Sequence, residues 1–288
     1  MSSRLILFDA LGLVYRAYHA IPPLSTQAGI PTNALLGFIK TVRSLQQHWQ
    51  PGFSAVVFDG GIPPARRELL PLYKAQRPPM PDGLRAQLPL IQEYLSCAGV
   101  AAVRRDAVEA DDILATLAVR AAVAGMDALV VTADKDLMQI VSDKVALITP
   151  GKMDDKIDPA AVRARAGVRP DQIVDWLALA GDNADNIPGV PGVGPKTAAR
   201  WLERWSTLDG ILAHQAELQP EKCRQALAQH LETVRRNVAL MRLQVDLPDL
   251  PALEELRAKP PDFTRLLAFY QAHELHALAR DLAAPTLF

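Results

Sequence analysis

Leu5-Ile6-Leu7-Phe8-Asp9 opens with four apolar residues and no polar alternation, then stops on a carboxylate. Such a run fits a strand covered on both faces. The same pattern returns in Ala55-Val56-Val57-Phe58-Asp59 and, with two residues interposed, in Leu129-Val130-Val131-Thr132-Ala133-Asp134; Val145 to Ile148 supplies a fourth run. Helical faces lie between these runs: Leu35, Phe38, Ile39, Val42 and Leu45 form one, and Ile113, Leu114, Leu117 and Ala121 another. Strands alternating with helices predict an α/β fold with a mostly parallel sheet flanked by helices. All strand carboxyl ends then share one edge, which brings Asp9, Asp59 and Asp134 together where such sheets bind ligands.

The 288 residues are 49% hydrophobic and 22% charged, which excludes disorder and collagen-like repeats. A net charge of −1 lacks the positive excess of proteins that coat nucleic acid, so any basic signal is local. Cys97 and Cys223 are too few for a disulfide framework and too far apart for a metal knuckle. Met1-Ser2-Ser3-Arg4 lacks a signal peptide's h-region, and no run approaches 18 apolar residues. The expectation is a cytoplasmic monomer with no membrane segment.

Residues 60–85 interrupt the rhythm, with Gly60-Gly61-Ile62-Pro63-Pro64 at one end and Arg77-Pro78-Pro79-Met80-Pro81 near the other. The stretch is too long for an ordinary βα loop, and Arg66, Arg67, Lys74, Arg77 and Arg85 against Glu68 and Asp82 leave it at +3. Pro89 predicts that the next helix starts or kinks near residue 88. After residue 158 the strands are expected to stop. The predicted organisation is an α/β core over 1–158, with an insertion at about 60–95, and a helical part over 159–288.

Glu109-Ala110-Asp111-Asp112 opens the helix of Ile113, and at about 100° per residue Glu109 and Asp112 share a face with Asp111 beside it. Acids also favour a helix N-terminus through its dipole, so this motif alone leaves both readings open. Asp134 and Asp136 form a second pair, and Gly181-Asp182-Asn183-Ala184-Asp185-Asn186 adds Asp182 and Asp185, where a helix-terminal Asx turn is the other reading. Together, Asp9, Asp59, Glu109, Asp111, Asp112, Asp134, Asp136, Asp182 and Asp185 would repel one another by several kcal/mol at an effective dielectric of about 20. Their convergence implies bound cations. All-oxygen ligation selects Mg²⁺, with Mn²⁺ as a substitute, and two such ions about 4 Å apart are the usual machinery for hydrolysing a phosphodiester.

Ile187-Pro188-Gly189-Val190-Pro191-Gly192-Val193-Gly194-Pro195-Lys196-Thr197-Ala198 lies between two helical patterns. Gly189, Gly192 and Gly194 permit close backbone approach, and the N–H groups starting the next helix, with Lys196 and Thr197, can receive a phosphate. Such a hairpin grips a nucleic-acid backbone without reading bases.

These motifs, with Tyr15-Arg16-Ala17-Tyr18-His19-Ala20 and Tyr73-Lys74-Ala75-Gln76-Arg77-Pro78-Pro79-Met80-Pro81, resemble the structure-specific 5′ nuclease family, in particular the 5′-to-3′ exonuclease domain of bacterial DNA polymerase I and its stand-alone relatives. The likeness runs along almost the whole chain. It implies a PIN-like core, a helical arch made by the insertion, and a helix-three-turn-helix at about 171–205. It further implies a first metal cluster of Asp9, Asp59, Glu109, Asp111 and Asp112, a second of Asp134, Asp136, Asp182 and Asp185, and K⁺ held by the main-chain carbonyls of Leu179, Ala180, Pro188, Val190 and Val193. Lys74 and Arg77 match residues that contact the scissile phosphate, with Asp111 central to catalysis, and Tyr15, Arg16 and Tyr73 match positions near the reacting nucleotide.

The implied activity is two-metal hydrolysis of DNA at 5′ flaps and 5′ ends in replication or repair, leaving a 5′-phosphate. Gly60 to Ala65 departs from the family's more basic stretch, which bears on flap threading. Leu287 and Phe288 loosely resemble the ending of sliding-clamp ligands. A haloacid-dehalogenase-type phosphatase needs an Asp two residues after Asp9, but position 11 is Leu. A non-enzymatic alternative is a catalytically weak DNA-junction binding module.

Overall fold

The apolar runs become strands of one sheet in the computed structural model, which describes residues 3–283. Strands β1 (Arg4–Asp9), β2 (Phe53–Phe58), β3 (Ala101–Arg104), β4 (Asp127–Val131), β5 (Val145–Ile148) and β6 (Lys156–Ile157) run in the order β3-β2-β1-β4-β5-β6. All neighbours are parallel except β5 and β6. Register pairs Asp9 with Val57 and Phe8 with Val131, so Asp9, Asp59 and Asp134 leave the same edge within a few residues of one another.

The two-residue period sorts the strands' side chains. Leu5, Leu7, Ala55, Val57 and Val130 face the helix Ala110–Val123 and the helical part from Ile173 onward. Ile6, Phe8, Val56, Phe58 and Val131 face the helices Ala10–Ala20, Asn33–Trp49, Leu88–Ala98 and Phe263–Ala272. Burying each such Leu, Ile or Phe stabilises the fold by roughly 1.5–3 kcal/mol, which is why the central strands are mostly apolar; the buried Ser54 of β2 is satisfied by the Gln46 amide at 3.0 Å. β3 and β6 escape a hydrophobicity reading because they are edge strands, four and two residues long, and β3 buries Val103 while Ala102 and Arg104 are exposed.

Within the 60–85 insertion, a short helix Pro64–Leu69 is followed by turns and then by the proline-rich segment that leads into the helical turn Asp82–Arg85. Leu88–Ala98 does start at residue 88, with Pro89 in the first turn where its missing N–H is no loss. Its buried Ile91, Tyr94 and Leu95 place residues 88–98 in the helical layer on the sheet.

Beyond residue 158 the chain is mostly helical, but strands do not stop altogether: Gly181-Asp182 pairs antiparallel with Ile187-Pro188. This two-residue ladder shapes the turn that presents Asp182 and Asp185. Phe263–Ala272 returns to pack on Leu88–Ala98. Both cysteines are free and buried, and no helix among the described residues is long and apolar enough to cross a membrane. Leu287 and Phe288 lie outside the described residues.

Candidate active site

The carboxyl edge of the sheet opens into a cleft of about 350 Å³ lined by Asp9, Asp59, Asp111 and Asp134 together with Tyr15, Lys74 and Arg77. Asp9 caps the helix Ala10–Ala20: Oδ1 accepts the Gly12 N–H at 3.0 Å and Oδ2 accepts the Thr132 hydroxyl at 3.2 Å. Residue 12 must be glycine for this carboxylate to sit so close, since a Cβ there would lie 2.3 Å from Asp9 Oδ2. Asp59 accepts the Gly61 N–H at 2.7 Å and approaches the Ala110 N–H at 3.5 Å, which ties the end of β2 to the helix that carries Asp111. Asp134 accepts the Asp136 N–H at 2.8 Å.

Beside this cleft, one carboxylate oxygen each from Asp136, Asp182 and Asp185 lie within 4.8 Å of one another. Asp136 Oδ1 is buried with no hydrogen-bond partner among the described residues. Burial raises Asp9, Asp111, Asp134 and Asp136, and neighbouring carboxylates add to it. Asp9 is pushed up by desolvation and by Asp134 and Asp59. Asp111 is pushed well up by desolvation and by Asp134 and Asp9, and Asp136 well up by desolvation, Asp134, Asp182 and Asp185. Asp134 is raised by desolvation in spite of its hydrogen bond from Asp136.

Glu109 and Asp112 have a different environment. They share a face of their helix, as their spacing requires, and neither side chain lines the cleft, although Lys74, which pairs with Glu109, does. Both are 1% exposed. Arg66 Nη1 and Nη2 donate to the two Asp112 oxygens at 2.8 Å, and Nη1 also pairs with Glu109 Oε2. Lys74 Nζ pairs with Glu109 Oε1 and stands 3.6 Å from Asp185, while Arg77 reaches Asp185 at 2.6 Å and Lys135 reaches Asp182 at 3.1 Å. Burial alone would lower the Lys74 ammonium, but Glu109 and Asp185 beside it win and hold it above its ordinary value. Tyr73 is buried, its hydroxyl 3.3 Å from Glu109 and 3.4 Å from Asp185. Lys74 itself sits at φ 56°, and its N–H donates to the Asp185 carbonyl at 3.0 Å, so the base of the insertion is tied to the Asp182–Asp185 turn.

The helix Ile173–Ala180, the short ladder and the helix Pro195–Trp205 build the glycine hairpin. Gly189 is packed against the first helix, where a Cβ would lie 2.3 Å from the Ala180 carbonyl, and Gly192 has φ +81°. Gly194 caps the second helix, leaving Lys196 and Thr197 in its first turn with Lys196 exposed. The Leu179 carbonyl accepts the Val190 N–H at 2.9 Å, the Val190 carbonyl the Val193 N–H at 2.9 Å, and the Pro188 carbonyl the Asn237 amide at 2.8 Å. Tyr15 is half-buried at the cleft wall and Arg16 is exposed.

The sequence counts Arg66 toward the +3 of the insertion, whereas it is 8% exposed and spent on two acids. Three polar ties carry no sequence signal: Thr132 on Asp9, Gln139 bridging the Asp136 and Met241 carbonyls, and Asn237 bridging Ala178 and Pro188. Each joins positions that only the fold makes neighbours.

Comparison with known proteins agrees with this geometry. Residues 4–167 match the 5′-3′ exonuclease N-terminal resolvase-like domain and residues 168–264 the 5′-3′ exonuclease C-terminal SAM fold. A 5′-3′ exonuclease of Aquifex aeolicus is 38% identical over 96% of this chain and 94% of its own length. The thermostable DNA polymerase I of Thermus thermophilus is also 38% identical over 96% of the chain, which spans only 33% of that protein. Among solved structures, the phage T5 D15 protein with metal ions superposes at a TM-score of 0.67 with 21% identity over 97% of this chain and 98% of its own, a likeness of fold. The catalytic core of Rad2 in complex with DNA gives 0.64 with 18% identity over 99% and 92%. On the family matches, the chain belongs to the 5′-3′ exonuclease family.

Proposed function

We propose that the chain is a structure-specific, metal-dependent 5′ nuclease that cuts DNA at 5′ flaps and 5′ ends in replication or repair, leaving a 5′-phosphate. The observation that carries this reading is the run of acids along one cleft, Asp9, Asp59, Asp111 and Asp134, adjoining Asp136, Asp182 and Asp185, with Lys74 and Arg77 at its rim. The residues fit divalent cations. Their donors are all oxygen, the Asp136 Oδ1 is orphaned, and Asp111 and Asp136 stay raised although Lys74 and Lys135 lie close enough to lower them in part, so added positive charge would relieve them.

In this reading Asp9, Asp59 and Asp111 hold one Mg²⁺ and Asp134, Asp136, Asp182 and Asp185 a second. Bound there, such ions acidify an attacking water and stabilise the leaving oxygen of an in-line displacement. Lys74 and Arg77 hold the scissile phosphate, with Lys74 already oriented by Glu109. Tyr15 and Arg16 flank the reacting nucleotide, and Tyr73 braces Glu109 and Asp185 from beneath. The PIN-like core and the helical arch are proposed in the same sense. The hairpin, read as a helix-three-turn-helix, grips duplex backbone through Gly189, Gly192, Gly194, Lys196 and Thr197. K⁺ at the carbonyls of Leu179, Ala180, Pro188, Val190 and Val193 belongs to this proposal; the three that accept a hydrogen bond each keep a second lone pair.

The test is a 5′-labelled flap duplex and its blunt counterpart, incubated in Mg²⁺, Ca²⁺ or EDTA. Cleavage at the junction in Mg²⁺ alone, with binding kept in Ca²⁺, is expected. Binding without cleavage in Mg²⁺ and Mn²⁺ alike would replace the nuclease with the junction-binding module.

A further inference from the structure

Arg66 has no task in the proposed cleavage chemistry, yet it is among the most thoroughly bonded cations in the molecule. It projects from the first helix of the insertion, Pro64–Leu69, into the protein, where its two terminal nitrogens take both oxygens of Asp112 and one of Glu109. Burial opposes its charge, but Asp112 and Glu109 more than compensate and hold the guanidinium above its ordinary value. Asp112 Oδ1 also accepts the Gln244 N–H at 2.9 Å. Both Asp112 oxygens are therefore occupied by protein donors, and its side chain does not line the cleft, while Asp111, one residue earlier, does.

The helix Ala110–Val123 is thus gripped on one side by Arg66 and offers a carboxylate on the other. A planar fork that bonds two carboxylates fixes both position and angle, which a lysine's single ammonium cannot reproduce. We propose that Arg66 is a positioning residue of the metal site: clamping Glu109 and Asp112, it sets the first turn of the helix so that Asp111 meets Asp9, Asp59 and Asp134, with Asp112 as its anchor rather than a ligand. The same clamp couples the insertion to that turn. This inference rests on the metal-nuclease reading of the cleft.

The test is Mn²⁺ binding to the DNA-free protein, followed by electron paramagnetic resonance, with native circular dichroism and thermal unfolding as controls. Arg66→Lys keeps the charge and loses the fork. Its Mn²⁺ affinity is expected to fall about 10-fold, the lower end of what losing an outer-shell partner costs because Arg66 acts one contact further out, and the Mg²⁺ needed for half-maximal flap cleavage to rise in step. Arg66→Met separates geometry from charge. A purely electrostatic role would leave the site more negative and tighten Mn²⁺, whereas positioning weakens it.

Asp112→Asn is expected to bind as many Mn²⁺ ions as the unaltered protein. Combined with Arg66→Lys it should weaken binding by no more than about 3-fold beyond Arg66→Lys alone, because the two act through one contact. Should Arg66→Lys lose native circular dichroism, the ion count of Asp112→Asn decides. Unchanged or tighter Mn²⁺ binding in the folded Arg66 variants, or loss of one ion in Asp112→Asn, would overturn the inference while leaving the nuclease standing. An unaltered protein that neither binds Mn²⁺ nor cuts flaps would overturn the reading beneath it and the inference with it.

Discussion

The two sides of the helix Ala110–Val123 treat the same chemical group in opposite ways. On the buried side, Glu109 and Asp112 are matched by Arg66 and Lys74, so the protein neutralises them with its own cations. On the cleft side, Asp9, Asp59, Asp111, Asp134 and Asp136 have no Lys or Arg within 4.0 Å among the described residues, and repulsion adds to desolvation in raising four of them. Carboxylates clustered without internal cations cost stability unless something from outside supplies the charge. The difference separates Glu109 and Asp112, which build the site, from Asp9, Asp59, Asp111, Asp134 and Asp136, which await an ion; Asp182 and Asp185 stand between, already reached by Lys135, Lys74 and Arg77. It also explains why Asp111 and Asp112, adjacent in sequence, have separate tasks.

The sharpest way to break this comparison is to remove a carboxylate from the unpaired side. Asp111→Ala is expected to lower flap cleavage by about 10³-fold or more, roughly 4 kcal/mol of barrier, while flap binding persists in a filter or gel-shift assay. Unchanged turnover would refute the assignment.

On the paired side the expected loss is in stability. Lys74→Met strands Glu109 beside a single remaining cation and should destabilise the fold by about 3 kcal/mol in denaturant titration, because both partners are buried. A loss below about 1 kcal/mol would show that the two sides are not as different as their surroundings suggest.

A pH series probes the cleft side through the metal that its carboxyls bind. Because the folded pKa values of Asp111, Asp134 and Asp136 are raised, their contribution to stability is complete below the ordinary carboxylate value of about 3.9 and is lost as pH rises through the raised values. Divalent cations should restore it. The gap in Tm between Mg²⁺ and EDTA is therefore expected to widen from pH 5 to pH 8, reaching about 5 °C or more at saturating metal. A gap that is flat or narrows with pH would mean that these carboxyls are not the ones metal relieves.

The smallest expected effect is a control far from both sides. Lys196→Ala should weaken flap binding several-fold and reduce the salt slope by about one, without altering cleavage at saturating DNA.

Much of the fold and of the cleft is legible in the residues themselves. Uninterrupted apolar runs ending in Asp9, Asp59 and Asp134 specify buried parallel strands and their common edge, and the 109–112 spacing puts Glu109 and Asp112 on one face. The proline at position 89 marks a helix start because its ring removes a donor only where none is needed. What stays hidden depends on partners distant in the chain. The charge of Arg66 counts only toward the insertion's basic excess until the fold places Glu109 and Asp112, 43 and 46 residues later, against it. β3 gives no signal because an edge strand needs only one well-covered side.

The most direct test is anomalous diffraction from crystals soaked in Mn²⁺. Two peaks are expected on the cleft side, one against Asp9, Asp59 and Asp111 and one against Asp134, Asp136, Asp182 and Asp185, with none between Glu109 and Asp112. A peak displacing Arg66 from Asp112, or a cleft that binds no Mn²⁺, would contradict the division of this helix into a side that carries its own cations and a side that recruits them.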